Sequence, residues 1–172
     1  DPELSRGLGD VYKRQDPPYG QPGTKTGEIG INGVFRVASN GKVTMLIDSL
    51  NRPNGIALSI DKKRLYVNQS DKEKPFLYCY EVAADGSLAN GKVLFDFKPF
   101  TIQSKGLPDG LKIHKNGNIF ATGPGGVHII SPAGKHLATI ETWKRTANCA
   151  FDSDQKYLYT TTTDTVSYTH LT

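Results

Sequence analysis

The sequence predicts an all-β chain, an arc of about three four-stranded blades of a β-propeller, and three observations predict it. No helical period of apolar residues is sustained anywhere in the 172 residues. Strand-like runs recur at the ~8–12-residue spacing of an all-β protein, separated by hairpin chemistry. A unit headed by Asn or Asp also repeats three times, and its heads, Asn54, Asp109 and Asn148, are 55 and 39 residues apart. Those offsets bracket the ~40–50 residues of a four-stranded blade. A β-sandwich uses short strands too, but shows no internal repeat carrying a polar residue at one fixed place. At ~40–50 residues per blade the chain holds about three, fewer than the ~4–8 that close a ring.

Each element follows in chain order. Residues 34–37 and 43–47 form a hairpin about Asn40-Gly41. The first repeat runs from Pro53-Asn54-Gly55 through an apolar run, turns at Asp61-Lys62-Lys63 and returns over 64–67. A hairpin of 76–80 and 93–95 about Asp85-Gly86 completes that unit. The second repeat runs 108–113, turns at Lys115-Asn116-Gly117 and returns over 118–121; a hairpin of 127–130 and 136–140 about Pro132-Ala133-Gly134 follows. Between them Gly123-Pro124-Gly125-Gly126 lacks the Lys-Ser/Thr of a phosphate loop and reads as a tight turn. The third repeat runs 147–151, turns at 152–155 and returns over 157–160.

Composition bounds the function classes. With 37% hydrophobic, 9% aromatic and 22% charged residues the chain is an ordinary globular one, so disorder, collagen and coiled coil are excluded. No stretch approaches the ~18 apolar residues of a membrane-spanning helix. The net charge of +4 comes from bases scattered singly among acids, a solvated surface and not a nucleic-acid stripe. Cys79 and Cys149 lie far apart without CxxC spacing and read as small buried apolar residues. His114, His128 and His136 do not gather into a ligand set and read as surface or half-buried side chains. Phe76, Tyr78 and Tyr80 alternate at strand period, which is blade packing. Asn68-Gln69-Ser70 matches a glycosylation sequon and carries little weight. No G-x-S-x-G elbow or H-E-x-x-H is present.

Both ends depart from the pattern. Residues 5–15 and 166–172 resemble one-frame translations of the transposon-end adapters of sequencing libraries. The expected organisation is therefore an adapter-derived 1–15, a partial propeller over 16–165 and an adapter-derived 166–172. Such ends are expected to contribute no strand to a blade. The +4 charge belongs to 16–165, because 1–15 balances three acids with three bases and 166–172 has neither.

The repeated polar residues carry the chemistry. The residue that opens a blade's first strand points toward the channel near one mouth, so Asn54, Asp109 and Asn148 converge there. The competing reading takes Asn54-Gly55 and Asp109-Gly110 as turn dipeptides. Each unit already has a turn some seven residues on, and a Pro before Asn54 and Asp109 suits a rim loop better than a two-residue hairpin. Convergent carboxylate and amide oxygens suit a hard cation such as calcium better than zinc.

Five ordered motifs, Asp16-Pro17-Pro18-Tyr19-Gly20, Arg52-Pro53-Asn54-Gly55-Ile56-Ala57, Leu107-Pro108-Asp109-Gly110-Leu111, 121–127 and Thr146-Ala147-Asn148-Cys149-Ala150, are similar to those of the gluconolactonase and senescence-marker-protein (regucalcin-like) family. The similarity covers 16–165. It implies a six-bladed propeller holding one divalent cation, Ca²⁺ first with Zn²⁺, Mg²⁺ or Mn²⁺ as alternatives, and hydrolysing sugar lactones such as glucono-1,5-lactone. By position, Asn54 and Asp109 match metal ligands, and Asp109 is also the candidate general base. Asn148 and Tyr19 are candidates for substrate contact. The family's first-blade Glu ligand, and its Asn shortly before the Asp-Pro-Pro-Tyr-Gly motif, have no counterpart here. The resemblance leaves open another lactone or a phosphoester as substrate, and a non-enzymatic ligand-binding propeller. The implied partner is a small sugar lactone, with no nucleic acid or membrane. The chain alone is expected to be inactive and marginally stable, with Phe95, Phe97 and Tyr159 on exposed blade faces.

Overall fold

The computed structural model describes residues 32–163 and, as backbone, the strands Val11–Arg14 and Thr165–His170. The chain divides into two compact units, Asp1–Pro53 and Asn54–Thr172.

In the first unit, β1 (Val11–Arg14), β2 (Val34–Val37) and β3 (Val43–Ile47) form a three-stranded antiparallel sheet in chain order. The β2–β3 turn is the expected Asn40-Gly41. Gly41 takes a φ of 82°, open to glycine at no steric cost, and Asn40 Oδ1 accepts from the Lys42 N–H at 3.0 Å.

The second unit holds three more antiparallel sheets, each meandering in chain order. One comprises β4 (Pro53–Leu58), β5 (Arg64–Gln69), β6 (Phe76–Val82) and β7 (Leu88–Asp96). The next comprises β8 (Leu111–Ile113), β9 (Ile119–Gly123), β10 (Gly126–Ile130) and β11 (His136–Glu141). The third comprises β12 (Thr146–Phe151), β13 (Tyr157–Thr162) and β14 (Thr165–His170). Apart from β14, these are the strands the repeats predict. Gly123 pairs with Gly126 across Pro124-Gly125, so the glycine-rich segment is the tight turn expected of it.

Two expectations are corrected. The terminal segments do form strands: β1 pairs with β2 from Val11↔Val37 to Arg14↔Val34, and β14 pairs with β13 from Tyr157↔His170 to Thr162↔Thr165. An edge strand needs one row of backbone donors and acceptors, and Val, Tyr and Thr favour the extended backbone that supplies it. Phe95 and Phe97 are not on an exposed face either: Phe97 is fully buried and Phe95 half-buried, both packed within the second unit. Tyr159 does remain 45% exposed.

The core lies between sheets. Tyr66, Leu77 and Phe97 from the β4–β7 side pack against Leu111, Ile119, Ala121 and Ile130 from β8–β11. Phe120 and Val127 point to the opposite face of that sheet and meet Cys149 and Leu158. Alternation along β9 thus sends Ile119 and Ala121 one way and Phe120 the other, so the strand is buried throughout. Each fully buried Leu, Ile or Phe contributes on the order of 1.5–3 kcal/mol. Both cysteines are free and buried as expected, and burial pushes the Cys149 thiol up to about 12.

His128 is more deeply placed than a half-buried histidine. It has no exposed surface and sits against the rings of Phe97 at 5.1 Å and Phe100 at 4.7 Å, the latter carried by the single-turn helix α1 (Lys98–Thr101). Its Nε2–H donates to the Pro124 carbonyl at 2.9 Å, and Nδ1 faces the Thr139 hydroxyl at 3.3 Å. Desolvation lowers its pKa to about 4, with nearby His136 adding to the shift. The folded state therefore binds this proton less well than the unfolded chain. Stability is expected to be insensitive to this group above pH ~6.5, to fall by on the order of 3 kcal/mol between ~6.5 and ~4, and to flatten below. Urea midpoints measured against pH check this, and His128→Gln is expected to remove that part of the slope.

Candidate functional site

The three repeated polar residues occupy matching places in successive sheets. Asn54 lies in β4, Asp109 two residues before β8, and Asn148 in β12. Backbone bonds join them. The Gly55 N–H donates to the Asp109 carbonyl at 3.0 Å, and the Gly110 N–H donates to the Ala147 carbonyl at 2.8 Å. The glycines after Asn54 and Asp109 thus face the next sheet, and a Cβ at Gly55 would collide with the Asp109 carbonyl oxygen, one at Gly110 with Asn148 Oδ1. Neither glycine is among those with positive φ. The turn reading of Asn54-Gly55 and Asp109-Gly110 is therefore wrong: glycine is needed here because two backbones touch.

Side chains fix the first two residues further. Asn54 is 5% exposed, and its Nδ2 donates to Ser70 Oγ at 3.0 Å. Ser70 Oγ in turn donates to the Pro108 carbonyl, next to Asp109. With Nδ2 tied to Ser70, the amide directs Oδ1 away from that hydroxyl. Asp109 is half-buried and its main chain is held on three sides. Its carbonyl accepts from Gly55 and from Asn68 Nδ2 at 2.9 Å, and its N–H donates to the Thr122 carbonyl at 3.2 Å.

Asn148 differs. It is exposed, and its Oδ1 accepts from the Cys149 N–H at 2.9 Å. With its oxygen engaged locally, the amide offers Nδ2, a donor, to any ligand. That suits contact with a substrate oxygen and not cation ligation. Tyr19 lies outside the described residues.

The donor set present fits a hard cation in kind, one amide and one carboxylate, both oxygen ligands. It is incomplete in number against the ~6–8 oxygens calcium takes. Among the described residues no group of three or more His, Cys, Asp or Glu side chains is placed to hold a metal.

Sequence reasoning missed Ser70, Asn68 and Thr122. Ser70 and Asn68 had been noticed only as parts of a sequon, and both are buried here. The β4–β5 hairpin points only to the neighbourhood: the Ser59 N–H donates to the Arg64 carbonyl at 2.9 Å, and carrying that antiparallel register outward sets position 54 across from position 69, one residue short of Ser70.

A family profile described as the SMP-30/Gluconolactonase/LRE-like region matches residues 9–164. The chain belongs to this family. Among its relatives is a gluconolactonase of Zymomonas mobilis subsp. mobilis, 36% identical over 151 residues, a match covering 84% of this chain and 42% of that protein. A gluconolactonase from Xanthomonas campestris superposes with a TM-score of 0.74 at 26% identity, over 89% of this chain and 50% of that one. The fold is also that of regucalcin from Agrobacterium tumefaciens, described as a calcium-binding protein, with a TM-score of 0.70 at 23% identity over 89% and 49%. The chain spans about half the length of these family members, whose fold is all-β and propeller-like.

Two substitutions test the site's construction. Gly55→Ala is expected to lower stability by about 1–3 kcal/mol, because the added methyl meets backbone and no side chain can swing aside. Ser70→Ala removes both the bond from the buried Asn54 Nδ2 and the donor to the Pro108 carbonyl and is expected to cost about 1–3 kcal/mol. Chemical denaturation of each variant measures both.

Proposed function

We propose that the whole protein to which residues 16–165 belong is a six-bladed propeller that hydrolyses a sugar lactone such as glucono-1,5-lactone with one bound divalent cation, Ca²⁺ first. Membership of the family and the gluconolactonase relatives support the reaction class. The observation that carries the assignment to residues is the joining of Asn54 and Asp109, through the Gly55–Asp109 backbone bond and the Asn54–Ser70–Pro108 chain.

In this reading Asn54 Oδ1 and the Asp109 carboxylate hold the cation together with ligands from outside the described residues. The cation, when bound, supplies polarisation of the lactone carbonyl and a lowered pKa for water. Asp109 accepts the proton of the attacking water as general base. Ser70 and Asn68 keep Asn54 and the Asp109 main chain from moving as charge develops. Asn148, through Nδ2, and Tyr19 contact the substrate's oxygens. A lactone is an activated ester, so the absence of a serine or cysteine nucleophile motif is no obstacle to its hydrolysis.

The test uses the whole protein. Asp109→Ala is expected to abolish both cation binding, by calorimetry, and hydrolysis of glucono-1,5-lactone. Asp109→Asn keeps an oxygen ligand but cannot take a proton. It is expected to retain most cation affinity while losing activity by about 10²–10⁴-fold. Unchanged affinity and turnover in Asp109→Ala would refute the site. Hydrolysis of a phosphoester in place of lactones would move the reading to the related hydrolase chemistry. With two oxygen ligands, the 172-residue chain by itself is expected to be inactive.

A further inference from the structure

A cleft of about 890 Å³ opens within the second unit, at the end of the sheets where Asp109 and Asn148 lie. Its size is that of a small-molecule site. Three segments wall it: the stretch leading to Asp109, with Lys105; the Pro124-Gly125 turn; and the β11–β12 connection, with Glu141, Trp143, Lys144 and Arg145. Backbone bonds tie the walls, the Gly125 N–H donating to the Lys105 carbonyl at 3.1 Å and the Thr142 N–H to the Gly125 carbonyl at 3.0 Å. Lys105 precedes Asp109 by four residues and Arg145 precedes Asn148 by three. The cleft therefore adjoins, along two chain segments, the candidate metal ligand Asp109 and the candidate substrate contact Asn148.

Its chemistry is one-sided. Lys105, Lys144 and Arg145 face one acid, Glu141, and among the described residues none of the three cations is in an ion pair. His128 also lines the cleft but is held neutral by burial, so it neither adds to nor offsets this charge at pH 7. Trp143, the chain's single tryptophan, is 81% exposed and has a φ of 58°. The left-handed region is a genuine outlier for so bulky a residue, and such strain clusters at ligand sites. A large exposed ring beside unpaired cations is a surface for stacking a polyhydroxylated ligand and holding its negative end.

We propose that this cleft binds sugar acids and sugar lactones that carry an anionic substituent, phosphate or carboxylate, at the end remote from the lactone group. Trp143 packs on the carbon skeleton, and Lys105, Lys144 and Arg145 hold the anion. The sugar portion rests on the lactonase reading above; the anionic preference rests on the cleft alone. Each exposed pair is worth roughly two- to fivefold in affinity, so three together favour the doubly functional ligand by about 10–100-fold over its neutral-ended counterpart at low salt.

Trp143 makes the test direct. Its fluorescence in the 172-residue chain, without added cation, is titrated with 6-phosphogluconate, glucarate, gluconate and inorganic phosphate. This reports on the cleft whether or not Asn54 and Asp109 bind a metal or catalyse. The expected result is quenching or a spectral shift with 6-phosphogluconate or glucarate at least tenfold tighter than gluconate, the tighter of the two naming phosphate or carboxylate as the source. Affinity is expected to weaken with added salt and to fall at least tenfold in Lys144→Glu/Arg145→Glu. It is also expected to fall in Lys105→Glu, which sits on the other wall. Equal affinity for gluconate, an equal response to inorganic phosphate alone, no Trp143 response, or charge-reversal variants that bind like the parent would each overturn the proposal.

Discussion

The second unit depends on sheets whose first strands approach closely enough for one backbone to donate directly to the next. The Gly55 and Gly110 amides do this across consecutive sheet boundaries; a methyl group at Gly55 would meet backbone alone, and one at Gly110 the Asn148 side chain. Sheets packed face to face through side chains stand ~10 Å apart. Here, at one end, the spacing falls to hydrogen-bond contact. The larger side chains of the intersheet core, among them Tyr66, Phe97 and Phe120, lie along and beyond these strands. The polar residue beside each glycine is carried to the point of closest approach.

The same geometry explains why polar groups are buried where they are. Asn54, Asn68, Ser70 and Thr122 are all buried, a costly placement unless hydrogen bonds compensate it. Among their bonds are Asn68 Nδ2 to the Asp109 carbonyl, Thr122 Oγ1 to the Gly110 carbonyl at 3.0 Å, and Asn54 Nδ2 to Ser70 Oγ. The network holds Asp109's backbone. Aromatic packing around His128 supports the neighbouring turn, since the ring's Nε2–H holds the Pro124 carbonyl.

Strand positions were legible because hairpin turns write themselves in short dipeptides. Asn40-Gly41, Asp85-Gly86 and Asn116-Gly117 all hold glycines at positive φ, of 82°, 78° and 89°. Asn54-Gly55 and Asp109-Gly110 look identical on paper, yet glycine is selected there by contact and not by dihedral angle. The preceding prolines and the spare downstream turn separated the two meanings. What stayed hidden depended on partners distant in sequence. His128 gives no sign of burial until Phe97 and Phe100 are known to cover it, and Ser70 gains meaning only through its bond to Pro108, 38 residues away. The edge strands at 11–14 and 165–170 were missed because edge pairing asks little of a sequence beyond an extended backbone.

Asn54 and Asp109 belong to different sheets, and that separation has a thermodynamic consequence. Any ligand that spans the two acts as a noncovalent crosslink between independently hydrogen-bonded sheets. Its binding free energy adds to the free energy that holds the sheets together, because it favours the assembled arrangement over any in which they part. The coupling is reciprocal. A substitution far from Asp109 that loosens the Phe97–Ile119 packing would weaken the ligand's hold by the same amount that the ligand, when bound, tightens that packing.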